Sequence, residues 1–422
     1  MNKYLLLGNV YGIGGWQIYL EGRICHLLKK GFNVYVVSPL LKNKTIKLEF
    51  FKKVKIVSNN ALFRNVALFT FSQRKRILDN ILKFVEFKES DCLFVESTSI
   101  YSSLWGEILA KATKGKNFSY ILNSHVKDVI NSNSSIIDFF RFKYSQKLLA
   151  GMTPNTIQDI LFQDECVSKE MLYSFKADGR DPLTLDNPLS NETRLIKEQK
   201  LRNTIVVGYF GNLDKPHVIE LTERLSAYFG RHSNNTFLFL TIGSSTKRKI
   251  EKDIIKIIDK INNASTLNIP DLFPVPIELF ELMDVCIGSW GSARTAARSL
   301  TKTIRLLNDT DVVAQGIIGI TLKNGIYYDL PAGELTLEEY LDGILFTHAY
   351  DDLENNSVTE YPEYELVQKN IDNFIGNYFS NDNESFYPIE HIVISSKKER
   401  LMKIFNCIFG MRFADFLFMV FK

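Results

Sequence analysis

The start of the chain places a helical pattern between two short apolar runs, and this order constrains the fold more than any other feature. Residues 4–7 are all apolar, and residues 33–37 form a second run rich in valine. Between them, Leu20, Ile24 and Leu27 recur at the spacing of one helix face. Strand, helix and strand in this order predict a βαβ unit, which requires a parallel sheet covered by helices.

The second half of the chain repeats this order. An apolar run at 203–210 ends at Gly211, and another at 237–242 ends at Gly243, with helical patterns between the runs. A length of 422 residues also exceeds what one hydrophobic core supports. We therefore predict an α/β chain with two tandem doubly wound Rossmann-like domains and a cleft between them. The predicted parts are a first domain at 1–185, a linker at 186–202, a second domain at 203–375 and a helical tail at 376–422.

The composition, 45% hydrophobic and 23% charged, is that of a folded globular protein. A net charge of +3 gives no indication of a nucleic-acid partner. The N-terminal apolar run is short and broken by Asn9 and several glycines, so no signal peptide is predicted. Because no apolar run is long enough to cross a bilayer, we expect a cytoplasmic protein.

The first glycine-rich turn lacks the features of a dinucleotide site. Gly12, Gly14 and Gly15 do not have the G-x-G-x-x-G spacing, and Ser38 rather than an acidic residue follows the second strand. The five cysteines form no C-x-x-C pair, and the six histidines show no metal-binding spacing. We therefore expect neither a nicotinamide or flavin cofactor nor a metal.

A short stretch in the second half joins a strand to a helix through small residues. The apolar run at 284–287 precedes a predicted turn at 288–292, and residues 293–300 have a helical composition. Such a junction presents free backbone N–H groups and the positive end of a helix dipole. Arg294 and Arg298 lie on one face of that helix, so the stretch suits a phosphate, although an ordinary connection has the same pattern.

Two titratable residues are predicted at the ends of strands in the first half. His125 follows a strand at 118–122, and Glu96 follows a strand that ends at Val95. Ligands bind at this edge of parallel sheets, and a histidine there suits acid–base or hydrogen-bonding work, unless it is simply a surface residue. Asp309 and Asp311 have the spacing of a D-x-D metal motif, but their position after a late strand favours a polar loop.

Several motifs resemble those of GT-B-type glycosyltransferases of bacterial surface-polysaccharide biosynthesis (capsule, O-antigen and lipopolysaccharide), the kind classed as glycosyl transferase group 1 or family 4. They are the Gly14-Gly15 turn, the 31–34 segment Gly-Phe-Asn-Val, the Asn187-Pro188 pair of the hinge, and the 208–215 turn Gly-Tyr-Phe-Gly-Asn-Leu-Asp-Lys. The family's E-x7-E element is missing, and Asn212 stands where an arginine is usual.

The resemblance implies metal-independent transfer of a hexose-like sugar from a nucleotide-diphosphate donor to a glycan or lipid-linked acceptor. It places His125 near the transferred sugar and Lys215 on the donor diphosphate, with Arg294 and the 289–293 backbone beside it. The implied donor-binding residues are Gly14, Gly15, Gly211, Asn212, Gly243, Ser289, Gly291, Ser292, Ala293 and, towards the ribose, Asp309.

Other interpretations stay open. A sugar-nucleotide epimerase would share the fold but needs a carboxylate in its site, for which Glu96 is the candidate. An inactive glycan-binding or scaffolding subunit would explain the missing E-x7-E element. In the tail, basic residues from Lys397 precede a phenylalanine-rich end. This pattern fits either an anchor on the inner face of a membrane or a helix packed on the first domain.

Overall fold

The computed structural model describes residues 2–12, 14–40, 46, 49–121, 133–152, 154–162, 172–175, 181–245, 248–308, 310–322, 333–356, 364–376, 385–394 and 396–409. The chain divides into two compact units. The first comprises Met1–Arg180 and Pro362–Lys422, and the second comprises Asp181–Tyr361.

The first unit is built on a parallel sheet of six strands in the order β3-β2-β1-β4-β5-β6. This is the doubly wound order, in which the chain reverses direction across the sheet beside β1. The apolar run at the N-terminus becomes the buried strand β1, which pairs with both β2 and β4. The strands are β1 (Asn2–Leu7), β2 (Asn33–Ser38), β3 (Lys55–Ser58), β4 (Cys92–Ser97), β5 (Lys116–Ile121) and β6 (Leu149–Gly151).

Helices cover this sheet, and capping residues mark the starts of two of them. Thr70 and Gln73 form a capping box on one helix, and Ser99 and Ser102 form one on the next. The helices of the first unit are Gly15–Lys29, Phe71–Phe84, Ile100–Thr113, Ser134–Ser145, Pro154–Ile157, Tyr364–Ile375 and Lys397–Phe409.

The C-terminal part of the chain contributes to the first unit. Tyr387, Ile389 and Ile392 belong to its hydrophobic core. Asn406, in the last described helix, donates from Nδ2 to the carbonyl of Leu68 at 2.9 Å. Among the described residues, none of the helices is both long and apolar enough to cross a bilayer.

The second unit contains a six-stranded sheet in the order β10-β9-β8-β12-β13-β14, which repeats the doubly wound plan. Its pairs are parallel except β13 with β14, which is antiparallel, and β7 and β11 form a separate two-stranded sheet. The strands are β7 (Leu183–Thr184), β8 (Ile205–Phe210), β9 (Phe237–Ile242), β10 (Ala264–Ile269), β11 (Val275–Pro276), β12 (Val285–Ser289), β13 (Thr303–Leu306) and β14 (Ala314–Ile317). The helices are Ser190–Lys200, His217–Arg231, Arg248–Ile258, Ile277–Glu281, Trp290–Ala297 and Leu337–Leu345.

The α/β class with two Rossmann-like domains is thus confirmed, while one local prediction is wrong. The turn predicted at 288–292 does not exist, because β12 continues through Ser289, which pairs with Leu306 of β13, and the next helix begins at once. The segment predicted as a linker contains a helix whose Ile196 is buried in a core cluster of the second unit.

Candidate functional site

Three neighbouring strands of the second sheet end together. Phe210 of β8 is paired with Ile242 of β9, and Tyr209 is paired with Ile287 of β12. Since the strands are parallel, the loops that follow them emerge at one edge, where open α/β sheets bind ligands. We call this edge, formed by residues 211–215, 243–245 and 289–294, the second-unit edge.

The loops after β8 and β9 approach each other so closely that glycine is required. Gly243 has φ +155°, and a Cβ added there would lie 1.9 Å from the carbonyl oxygen of Gly211. Gly211 has φ +151°, again outside the range that other residues readily adopt. The two glycines that mark strand ends in the sequence therefore allow the two loops to lie against each other at this edge.

Lys215 and Ser289 meet at the second-unit edge. The Nζ atom of Lys215 donates to Ser289 Oγ at 2.7 Å, and Ser292 Oγ donates to the Ser289 carbonyl at 2.7 Å. The lysine charge is thereby held at the start of the helix Trp290–Ala297. An ammonium group beside a helix N-terminus forms an environment that favours an anion.

Hydrogen bonds within the loop and to a neighbouring loop hold the segment that carries Lys215. Asn212 Oδ1 accepts from the Asp214 backbone N–H at 2.9 Å, and Ser245 Oγ donates to Asp214 Oδ1 at 2.5 Å. The buried ring of His217 lies with Nε2 3.2 Å from the Tyr209 hydroxyl. Asn212 therefore shapes the loop, and the role of His217, a buried residue after a predicted turn, had no signal in the sequence.

The two arginines of the predicted phosphate stretch differ in their surroundings. Arg294 is half-buried, and within the described part of the chain its side chain forms no hydrogen bond or ion pair. Arg298 instead donates two hydrogen bonds to Asp181, at 2.8 and 2.7 Å. Burial raises the pKa of the Asp181 carboxyl, but the hydrogen bonds from Arg298 and from the Leu183 backbone N–H, together with the Arg298 charge, hold this pKa below its usual range. Arg298 is therefore engaged in an ion pair, whereas Arg294 forms none with the residues that the structure describes.

Trp290 is the residue at this edge that sequence reasoning missed as a site residue. It has φ +51°, a left-handed conformation that costs a bulky side chain about 1–3 kcal/mol. The residue is 36% exposed, and the guanidinium carbon of the buried Arg305 lies 5.7 Å from the centroid of its ring. The only sequence signal was an aromatic residue within a run of small ones.

The other predicted site residues lie in the first unit, outside the described residues, or within the second-unit edge itself. Gly14 and Gly15 lie in the first unit, where Gly14 is the extended N-cap residue of the helix Gly15–Lys29. His125 and Asp309 lie outside the described residues. Gly291 is exposed in the first turn of the helix Trp290–Ala297, and Ala293 is buried against Gly288.

Glu96 is not an acid–base residue at an open edge, and that prediction is wrong. It lies within β4, fully buried, and its carboxylate accepts hydrogen bonds from the Tyr4 hydroxyl, from the Tyr19 hydroxyl at 2.5 Å and from Arg23 Nε at 2.9 Å. Burial, followed by the interaction with Glu96, raises the pKa of Tyr19 well above its usual value. The carboxylate is part of a buried ion-pair network. Among the described residues, no group of three or more His, Cys, Asp or Glu side chains could hold a metal.

No protein-family model matches the chain, and no curated protein matches it. Solved structures do match. The Anabaena protein HepE, in complex with UDP and glucose, is 12% identical, with 88% of this chain and 99% of that chain covered and a TM-score of 0.56. Trehalose-6-phosphate synthase OtsA is 13% identical, with 88% and 98% covered and a TM-score of 0.52. A UDP-GlcNAc 2-epimerase from Neisseria meningitidis is 10% identical, with 89% and 99% covered and a TM-score of 0.46. The likeness to HepE and OtsA shows that the chain has a GT-B-type fold.

Proposed function

We propose that the protein is a metal-independent glycosyltransferase that uses a nucleotide-diphosphate sugar, and that the second-unit edge binds the donor diphosphate. The observation that carries this proposal is the Lys215–Ser289 contact of 2.7 Å at the start of a helix. HepE, which shares the fold, was crystallised with UDP and glucose, and this supports a donor of the UDP-sugar class.

The chemistry follows from where charge develops. When the bond between the sugar and the diphosphate breaks, negative charge grows on the leaving phosphate. The Lys215 ammonium and backbone N–H groups at the helix start stabilise that charge, and Arg294 has a side chain available to pair with the second phosphate. These hydrogen-bond donors and positive charges neutralise the leaving phosphate, as a metal ion does in other transferases.

The other residues of the proposal come from the family resemblance. His125 is proposed to lie near the transferred sugar, Asp309 to reach the ribose, and Gly14 and Gly15 to border the donor. The acceptor is proposed to be a glycan or lipid-linked glycan of a surface polysaccharide, such as a capsule or O-antigen, extended in the cytoplasm. Epimerisation is less well supported, because Glu96, the carboxylate it would need, is fully engaged with Tyr4, Tyr19 and Arg23.

The test is transfer or hydrolysis of a panel of radiolabelled nucleotide sugars by the purified protein. Lys215→Met keeps the length of the side chain and removes its charge, and we expect turnover to fall on the order of 100-fold. Lys256→Ala, at an exposed lysine of the same unit, is the matched control and keeps full activity. No turnover or binding of any donor by the wild type would instead favour a non-catalytic subunit.

A further inference from the structure

The last described helix presents an apolar stripe to solvent. Leu401, Ile404 and Ile408 recur at i, i+3 and i+7 of the helix Lys397–Phe409, and they are 57%, 53% and 66% exposed. Three large aliphatic side chains on one exposed face form the kind of patch that marks an interaction surface.

The opposite side of this helix is attached to the first unit. Glu399 accepts from the Tyr101 hydroxyl at 3.2 Å, Met402 packs against the first core, and Asn406 donates to Leu68. Asn406 Oδ1 also accepts from Gln73 Nε2 at 3.3 Å. Phe71, two residues before Gln73 in the chain, is 75% exposed. The stripe is therefore the outward face of a packed helix.

The charges around the stripe have one sign. Lys397, Arg400 and Lys403 are exposed on the same helix, whereas its single acidic residue, Glu399, is turned towards Tyr101. Residues 410–422, which lie outside the described residues, continue the chain with four phenylalanines and one acidic residue. An exposed apolar stripe edged by cations complements a lipid surface that carries negative headgroups.

We propose that this face, formed by Lys397, Arg400, Leu401, Lys403, Ile404 and Ile408, docks the first unit on an anionic lipid bilayer. The aliphatic side chains enter the boundary between headgroups and acyl chains, and the cations lie against the headgroups. The helix lies in the plane of the interface and does not cross it. This inference does not rest on the proposed transferase reaction.

The experiment is co-sedimentation of the full chain with phosphatidylcholine vesicles, with and without phosphatidylglycerol. We expect binding only to vesicles that contain phosphatidylglycerol, and weaker binding at high salt. Neutralising the three cations (Lys397→Gln, Arg400→Gln and Lys403→Gln) should lower the partition coefficient on the order of 100-fold. Ile404→Ser with Ile408→Ser should abolish binding.

The matched control carries Leu185→Ser and Leu201→Ser, which change two leucines of the second unit that are 89% and 85% exposed. It should bind as the wild type does, and melting curves establish that all variants are folded. Binding that is unchanged in the Ile404 and Ile408 variant would overturn the proposal. The proposal would also be overturned if the wild type did not bind vesicles but formed a dimer that the Ile404 and Ile408 variant cannot form. The face would then bind a second copy of the chain.

Discussion

Gly243 illustrates how much of the candidate site depends on single residues. Because Gly243 has no side chain, the loop after β9 can pass close to the carbonyl oxygen of Gly211. The loop that begins at Gly211 carries Lys215, which contacts Ser289 at the end of β12. Sequence reasoning identified Gly243 because glycine after a strand is a strong local signal. It did not reveal why glycine is required, since the reason is a contact with a residue far away in the sequence.

We predict that Gly243→Ala is destabilising. The new methyl group would lie 1.9 Å from a backbone oxygen, at a φ of +155°, so the loop must move. The expected loss is about 2–4 kcal/mol of unfolding free energy, measured by urea denaturation. Gly291→Ala, where the added methyl group meets no atom within 4 Å beyond its chain neighbours and the backbone of its own helix, should change stability by less than about 1 kcal/mol. Equal effects of the two substitutions would contradict the described geometry.

At the scale of elements, the junction of β12 with its helix is tighter than the sequence indicates. Small residues there predict a turn, but pairing of Ser289 with Leu306 extends the strand, and the helix begins at Trp290 in a left-handed conformation. The propensities of neighbouring residues do not predict a pairing with a strand distant in the sequence. Trp290, with its strained backbone and its partly exposed side chain, consequently follows directly after Ser289, whose hydroxyl accepts from Lys215.

This placement predicts a fluorescence signal. If the donor diphosphate binds at the second-unit edge, UDP should quench the emission of Trp290, and the quench should disappear in Trp290→Phe. Trp105→Phe, in the core of the first unit, is the control and should retain it. The measurement is a titration of intrinsic fluorescence, and an undiminished quench in Trp290→Phe would place the ligand elsewhere.

At the scale of the whole molecule, the doubly wound plan of both domains follows from apolar runs separated by helical patterns and glycines. The ion-pair network of the first unit does not, because its members are distant in the sequence. Arg23 of the first helix joins Glu96 of β4 and, at 2.8 Å, Asp372 of the helix Tyr364–Ile375. His26 and Lys30 also contact the Asp372 carboxylate. The C-terminal part of the chain is thereby held to the first unit.

Burial raises the pKa of the Asp372 carboxyl, but His26, Arg23 and Lys30 outweigh it and hold that pKa well below its usual value. Because the folded pKa is the lower one, the stabilisation is complete above about pH 4, the unfolded value, and is lost as the pH falls below it. Asp372→Asn should cost about 3 kcal/mol at pH 7 and flatten the acid branch of the stability curve. Urea denaturation from pH 7 to pH 3 measures both, with the exposed Asp79→Asn as control. A variant with the acid branch of the wild type would refute this assignment.

The most direct test of the proposed donor site is calorimetric titration with UDP. We predict that the wild type binds UDP, that Lys215→Met binds at least about 10-fold more weakly because it loses a charge-assisted contact, and that Lys256→Ala binds as the wild type does. Raising the salt concentration should reduce the difference in UDP affinity between the wild type and Lys215→Met. Equal affinity of the wild type and Lys215→Met, or no binding by the wild type, would contradict the assignment of the second-unit edge as the diphosphate site.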